Sequence, residues 1–296
     1  MERFVYNQLV AWKNKSTRKP LILNGARQVG KTWLLKEFAR HEYENMAYIS
    51  CDTSLEMKNA FSDFDTSRLI RLFSAISETA IVPGKTLIIL DEIQEVPLAL
   101  TSLKYFCENA NEYHIVVAGS LLGIGLHEGT GFPVGKVDEI SLYPLSFEEF
   151  LLASGKQLLV QQMKEHRWEE LSGMSHTFIE LLRQYYYVGG MPAVVDAYIK
   201  NNNVLEVRDI QKQILSDYRR DFSKHIEASS IPKIGLIWNS IPSQLVKENK
   251  QFIYKEMKQG ARASQFEHAF YWLSKVGLIY IVNRIETPNL PLAAYK

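Results

Sequence analysis

The chain has 296 residues, 46% of them apolar and 23% charged, with a formal net charge of +1, which suits about two globular domains and excludes a global basic field for nucleic acid. Its two cysteines, Cys51 and Cys107, lie far apart with no CxxC or Cys/His cluster, which excludes a disulfide scaffold and a local zinc site and suits a reducing compartment. The opening Met1-Glu2-Arg3-Phe4 lacks the apolar core of a signal peptide and no apolar run is long enough to span a membrane, so a cytoplasmic location is expected.

Phe4 to Trp12 reads as a short amphipathic helix, with Phe4, Val5, Leu9 and Trp12 on one side. A polar, basic connection, Lys13 to Lys19, leads into Leu21-Leu23, an apolar run of strand character. The stretch Gly25-Ala26-Arg27-Gln28-Val29-Gly30-Lys31-Thr32 then fits G-x-x-x-x-G-K-[ST], and Trp33 to Ala39 carries its apolar residues at helical spacing. Strand, glycine loop and helix in that order are what a phosphate-binding loop requires. Its backbone N–H groups curl around phosphate oxygens and the following helix adds the positive end of its dipole. Gly25, Arg27, Gln28, Val29, Gly30, Lys31, Thr32 and Trp33 are the expected nucleotide contacts. Lys31 would reach the β- and γ-phosphates, and the Thr32 hydroxyl would hold Mg²⁺.

Ala47-Ser50 reads as a second strand and Ser67 to Ala80 as a helix. After the turn at Pro83-Gly84, Thr86-Leu87-Ile88-Ile89-Leu90 has the continuous apolar character of a parallel strand covered on both faces. It ends in Asp91-Glu92, where ligands bind in open α/β sheets. Asp91 is the expected Mg²⁺ partner and Glu92 the expected general base that polarises the attacking water. Leu98 to Asn109 reads as a helix and Tyr113 to Ala118 as a strand. That strand closes in Gly119-Ser120, which sets Ser120 at the sensor position beside the γ-phosphate. The glycine-rich Leu121 to Gly135 reads as a mobile loop or hairpin near the site. Val137 to Leu142 reads as a fifth strand, and Ser146 with Glu149 has capping-box spacing at the start of a helix.

GARQVGKT, LIILDEIQ, VVAGS and YPLSFEEF in this order, with Tyr187-Val188-Gly189-Gly190-Met191-Pro192 downstream, resemble the bacterial and archaeal AAA-type ATPases of the STAND class, near the archaeal ATPases. The resemblance covers nearly the whole chain. It implies a P-loop core with a five-stranded parallel sheet in the order 51432, flanked by helices, then a helical segment and a winged-helix domain. The expected bounds are 1–155 for the core, 156–228 for a helical connecting domain and 229–296 for the winged-helix region. It implies a nucleotide-dependent switch that binds ATP or ADP with Mg²⁺, with Pro192 of a GxP-like turn packing on the adenine. Members often continue into a nuclease-like domain. No paired Asp…Glu-x-Lys site is evident here, and the winged-helix region is expected to be cut short on its C-terminal side.

Thr177 to Ile199 reads as a helix pair around the Gly-Gly-Met-Pro turn, and Val204 to His225 as one long amphipathic helix containing Asp217-Tyr218-Arg219-Arg220-Asp221. Beyond it, helices are expected at Ile234-Leu245, Phe252-Met257 and Gln265-Lys275, then a strand at Leu278-Val282 and a wing turn at Asn283-Glu286. The last helix carries His268 and Lys275 but also Glu267, Phe270, Tyr271, Trp272 and Leu273. That composition favours docking on the ATPase core over DNA. Ring-forming relatives place an arginine finger before the fifth strand, but between Arg71 and Arg167 there is no arginine and Lys136 cannot reproduce its planar fork, so either hydrolysis is slow or the finger comes from elsewhere, with Arg219 and Arg220 as candidates. The alternative to an ATP-hydrolysing switch is a DNA- or partner-binding module that holds nucleotide with little turnover. A small-molecule kinase is the weaker third reading, because adjacent Asp91-Glu92 suits water activation.

Overall fold

The computed structural model describes residues 1–119, 131–225, 229–247 and 251–283, together with Ile285. Two compact units divide the chain, Met1–Asp221 and Phe222–Lys296.

The first unit is built on a five-stranded sheet of β1 (Leu21–Gly25), β2 (Asn45–Ser50), β3 (Thr86–Asp91), β4 (His114–Ala118) and β5 (Asp138–Leu142), in the order β2-β3-β4-β1-β5. Read from the other edge, this is the expected 51432. All four pairings are parallel. Parallel strands joined through helices must bury both faces, which is why β1, β3 and β4 are apolar at nearly every position rather than alternating. Successive residues go to opposite faces. Ile22, Ile88, Leu90, Ile115 and Val117 pack with Leu69, Phe73, Leu103 and Phe106. Leu21, Leu23, Leu87, Ile89, Val116 and Ala118 pack with Leu9, Trp12, Leu34, Leu35 and Phe38. The covering helices are α1 (Val5–Asn14), α2 (Lys31–Glu42), the one-turn α3 (Leu55–Lys58), α4 (Thr66–Ser77) and α5 (Pro97–Asn109).

The strand order fixes where chemistry can sit. β4 lies between β1 and β3, so the carboxyl ends of the two motif strands, Gly25 and Asp91, flank a single strand end. Ser120, which follows β4, lies outside the described residues, as does most of the glycine-rich stretch.

The helices after the sheet are α6 (Phe147–Ala153), α7 (Gln157–Lys164), α8 (Trp168–Gly173), α9 (Ser175–Val188), α10 (Pro192–Asn201) and α11 (Val204–His225). The capping box expected at Ser146 is present. Its hydroxyl accepts from Glu149 N–H, and the Glu149 carboxylate accepts from Ser146 N–H. The segment Pro144-Leu145 meets the Gly189-Gly190 turn directly: Leu145 N–H donates to Gly190 O at 2.7 Å, and Tyr185 OH donates to Leu145 O at 2.7 Å. A Cβ at Gly190 would stand 2.3 Å from Leu145 O, so only glycine permits this approach.

The second unit corrects two expectations. α12 (Ile231–Leu245) and α13 (Glu267–Lys275) form, but Phe252-Met257 is not a helix: it holds a single 3₁₀ turn, Tyr254–Glu256. Its aromatics are committed to packing, with Phe252 and Tyr254 edge-on to Phe270 at 4.8 and 5.5 Å. The strand expected at Leu278-Val282 is absent among the described residues. Gly277, at φ +70°, turns the chain, and the N–H groups of Leu278 and Ile279 bond back to Leu273 O instead of to a partner strand. Of the wing turn at Asn283-Glu286, Arg284 and Glu286 lie outside the described residues. Leu273 and Ala269 of α13 are buried, as their apolar character suggests, while His268 and Lys275 are exposed.

Replacing Gly190 with alanine is expected to destabilise the first unit by about 1–3 kcal/mol through overpacking against Leu145. A urea titration should show a lower midpoint at unchanged slope. An unchanged midpoint would mean that the two segments do not meet as described.

Candidate functional site

The loop between β1 and α2 begins where β1 ends, at Gly25, and closes at Gly30 with φ +93°, a left-handed conformation that lets Lys31 start the helix. Lys31 is 8% exposed. Its ammonium donates to Gly25 O at 3.0 Å and Ala26 O at 2.9 Å. Removal from water pulls its pKa down to about 8. Glu92 and then Asp91 oppose that shift, and Arg27 adds to it. Lys31, Glu92, Asp91 and Arg27 therefore share one electrostatic neighbourhood, although β3 is far from the loop in sequence.

Thr32 and Asp91 meet directly. Thr32 OH donates to Asp91 Oδ2 at 2.6 Å, and Tyr48 OH donates to the same oxygen at 3.1 Å. Burial, with the Asp91 charge and hydrogen bond behind it, pushes the Tyr48 phenol up to about 12, so it remains a donor. Asp91 is 3% exposed. Hard oxygens from a hydroxyl and a carboxylate are a donor set that fits Mg²⁺, which takes few protein ligands and completes its shell with phosphate and water. Among the described residues no group of three or more His, Cys, Asp or Glu forms a further metal cluster.

Glu92 sits at φ 51°, ψ 44°, and Gln28 of the loop at φ 63°. Non-glycine residues held left-handed are strained by about 1–3 kcal/mol and collect at functional sites. The Glu92 carboxylate accepts from Gln94 Nε2, and Gln94 is itself buried. Pro192, the first residue of α10, lies beside the loop, 3.7 Å from where a Cβ on Gly30 would be. Trp33, by contrast, is exposed at the outer side of α2 and meets no other site residue in any described bond.

Several residues that hold this site were not singled out from the sequence. Arg3 is buried and ties the loop to the chain beyond β5. It donates to Val29 O at 3.0 Å, to Tyr143 O and to Glu149 Oε1 at 3.2 Å, while Phe4 N–H donates to Glu149 Oε1 at 2.7 Å. The long helix α11 also holds the loop. Arg27 pairs with Asp221 at 2.6 Å, Gln28 donates to Asp217 at 3.0 Å, and Tyr218 OH donates to Arg27 O at 2.6 Å. No local spacing announces Arg3, which meets Glu149 across 146 residues. The acidic pair in α11 was visible as two carboxylates one helical turn apart, beside Arg219 and Arg220. Arg220 lies 3.9 Å from Asp217 on the exposed side. Gln94 lay within the quoted DEIQ.

Residues 17–151 match the profile of an AAA domain, and residues 179–296 match a domain of unknown function, DUF8612. Among solved structures, the Walker-type ATPase Paby2304 of Pyrococcus abyssi is similar at 13% identity, covering 93% of this chain and 89% of that one, with a TM-score of 0.57. AMPPCP-bound DnaA from Aquifex aeolicus aligns at 14% identity over 92% and 86% of the two chains, with a TM-score of 0.39. The first likeness shows the fold. No curated protein matches the chain. No helix among the described residues is long and apolar enough to cross a membrane.

The depressed Lys31 pKa has a thermodynamic consequence. Between its folded value of about 8 and the ordinary 10.5, the unfolded chain binds a proton that the folded one does not. The Lys31 contribution to stability therefore rises with pH across that window, and a penalty of about 3 kcal/mol acts in full below it. Lys31→Met is expected to remove this slope. Parent and variant denaturation curves that run parallel from pH 8 to 10 would contradict the desolvation described.

Proposed function

We propose that this chain, whose residues 17–151 match the profile of an AAA domain, is a P-loop ATPase that binds ATP with Mg²⁺ at the loop and hydrolyses it as a nucleotide-dependent switch. The observation that carries the reading is the 2.6 Å bond between Thr32 and Asp91, 59 residues apart, with the Lys31 ammonium and the Glu92 carboxylate in the same neighbourhood. Two motifs that are each common in isolation converge here on one strand-end cradle.

In this reading the loop N–H groups and Lys31 neutralise the β- and γ-phosphate oxygens, and the carbonyls of Gly25 and Ala26 give up the ammonium to them. Thr32 and Asp91 would hold Mg²⁺, which when bound offsets charge on the phosphates. Glu92, fixed by Gln94 and by its strained backbone, accepts the proton of a water that attacks the γ-phosphorus in line. ADP leaves and inorganic phosphate forms. Pro192, beside Gly30, is the proposed adenine contact, and Ser120 the proposed sensor of the γ-phosphate.

A second reading, a module that holds nucleotide with little turnover and serves DNA or a protein partner, is favoured by the absence of arginine from 72 to 166. Single-turnover ATP hydrolysis by the full chain separates the two. Glu92→Gln is expected to slow the step by about 100-fold or more while ATP binding is kept. Binding without turnover in parent and variant alike would favour the second reading.

A further inference from the structure

The crest of the phosphate loop is held by one face of α11. Asp217 and Asp221 stand one turn apart, with Tyr218 beside them, and between them they engage the Gln28 side chain, the Arg27 carbonyl and the Arg27 guanidinium. The Arg27–Asp221 pair is lopsided. Asp221 has a side chain only 3% exposed, while that of Arg27 is 33% exposed. Asp221 Oδ1 takes the bond, and its Oδ2 is buried with no hydrogen-bond partner among the described residues. A buried carboxylate with one oxygen unpartnered is costly unless a cation faces it. The guanidinium, with five donors in a rigid fork, has more capacity than the one bond to Oδ1 uses. Its charge is also close enough to Lys31 to act on that ammonium.

We propose that Arg27 is exchanged between Asp221 and the terminal phosphate of a nucleoside triphosphate, so that α11 reads how many phosphates the loop holds. The inference rests on the ATP-binding reading and goes beyond it. A γ-phosphate offers oxygens of higher charge than one carboxylate and a geometry the fork can grip with two parallel bonds. A diphosphate lacks that group, so Arg27 stays on Asp221. When Arg27 leaves, Asp221 is a buried charge without its partner, and the end of α11 must loosen to let water or a proton reach it. The coupling is reciprocal: whatever stabilises the clasp disfavours the triphosphate to the same degree. The chain thereby carries its phosphate-sensing arginine inside the loop, although it has none from 72 to 166.

The test measures binding of ADP and of a non-hydrolysable ATP analogue, each with Mg²⁺, to the full chain and its variants by calorimetry. Arg27→Met is expected to lower the analogue-to-ADP affinity ratio by about tenfold, the size of one charge-assisted hydrogen bond. Asp221→Asn is expected to raise that ratio, and the double variant to behave as Arg27→Met alone. Amide exchange at Asp217 to Asp221 should be faster with the analogue than with ADP. An Arg27→Met variant with an unchanged ratio overturns the proposal while leaving ATP binding intact, as does equal exchange with both nucleotides. If Arg27→Met, which leaves the buried Asp221 without its cation, does not fold, the Asp221→Asn ratio and the exchange measurement on the parent chain still decide. A parent that binds neither nucleotide overturns the ATP reading, and this inference with it.

Discussion

Holding the Lys31 ammonium out of water is the constraint on which the rest of the first unit depends. A primary ammonium at 8% exposure loses most of its hydration, and its pKa of about 8 records how poorly protein groups replace it. The arrangement persists because the loop carbonyls face it at hydrogen-bonding distance and because Glu92 and Asp91 arrive from another strand. Each of those acceptors must itself be fixed. Asp91 is fixed by Thr32 and Tyr48, and Glu92 by Gln94 and a left-handed backbone. This stored charge and strain support the proposed nucleotide site.

The loop is supported from three directions, and each support comes from a different part of the chain. Arg3, at the amino end, holds the Val29 carbonyl and leans on Glu149, whose other oxygen completes the Ser146 cap. Pro192 lies beside Gly30. The acidic face of α11 holds Arg27 and Gln28. The two motifs downstream of the sheet, around Leu145 and Gly190, meet each other through backbone bonds that tolerate no side chain at Gly190. The loop is thus the point at which hydrogen bonds from the amino terminus, the segment after β5 and the long helix meet.

The second unit follows a different logic. Its short elements are held by aromatic contacts: Phe222 packs edge-on to Trp238 and Trp272 at 5.4 and 5.8 Å, and Phe252, Tyr254 and Phe270 pack edge-on to one another. With so many rings committed to packing, local patterns suggestive of a helix at Phe252 and a strand at Leu278 give way to a 3₁₀ turn and to backbone bonds closing on Leu273.

The five strands, most of the helices around the sheet, the helix pair around Gly190, α11 and the glycine loop itself were legible in the sequence, because they depend on local rules, whereas the one-turn α3 was not. Buried parallel strands must be apolar on both faces, helices repeat their apolar residues at fixed spacing, and a loop that curls around phosphate needs glycine at fixed places. The pairing of Gly-Lys-Thr with Asp-Glu was legible too, because strand ends are where such sheets collect function. Arg3, Tyr48 and the Asp217–Asp221 clasp were decided by tertiary structure alone. Their partners lie 26 to 194 residues away, and a charge or phenol carries no sign of whom it will meet. The strand expected near the carboxyl end is absent among the described residues, and nothing local in Leu278 to Val282 could say so, because a strand exists only when another strand offers it hydrogen bonds.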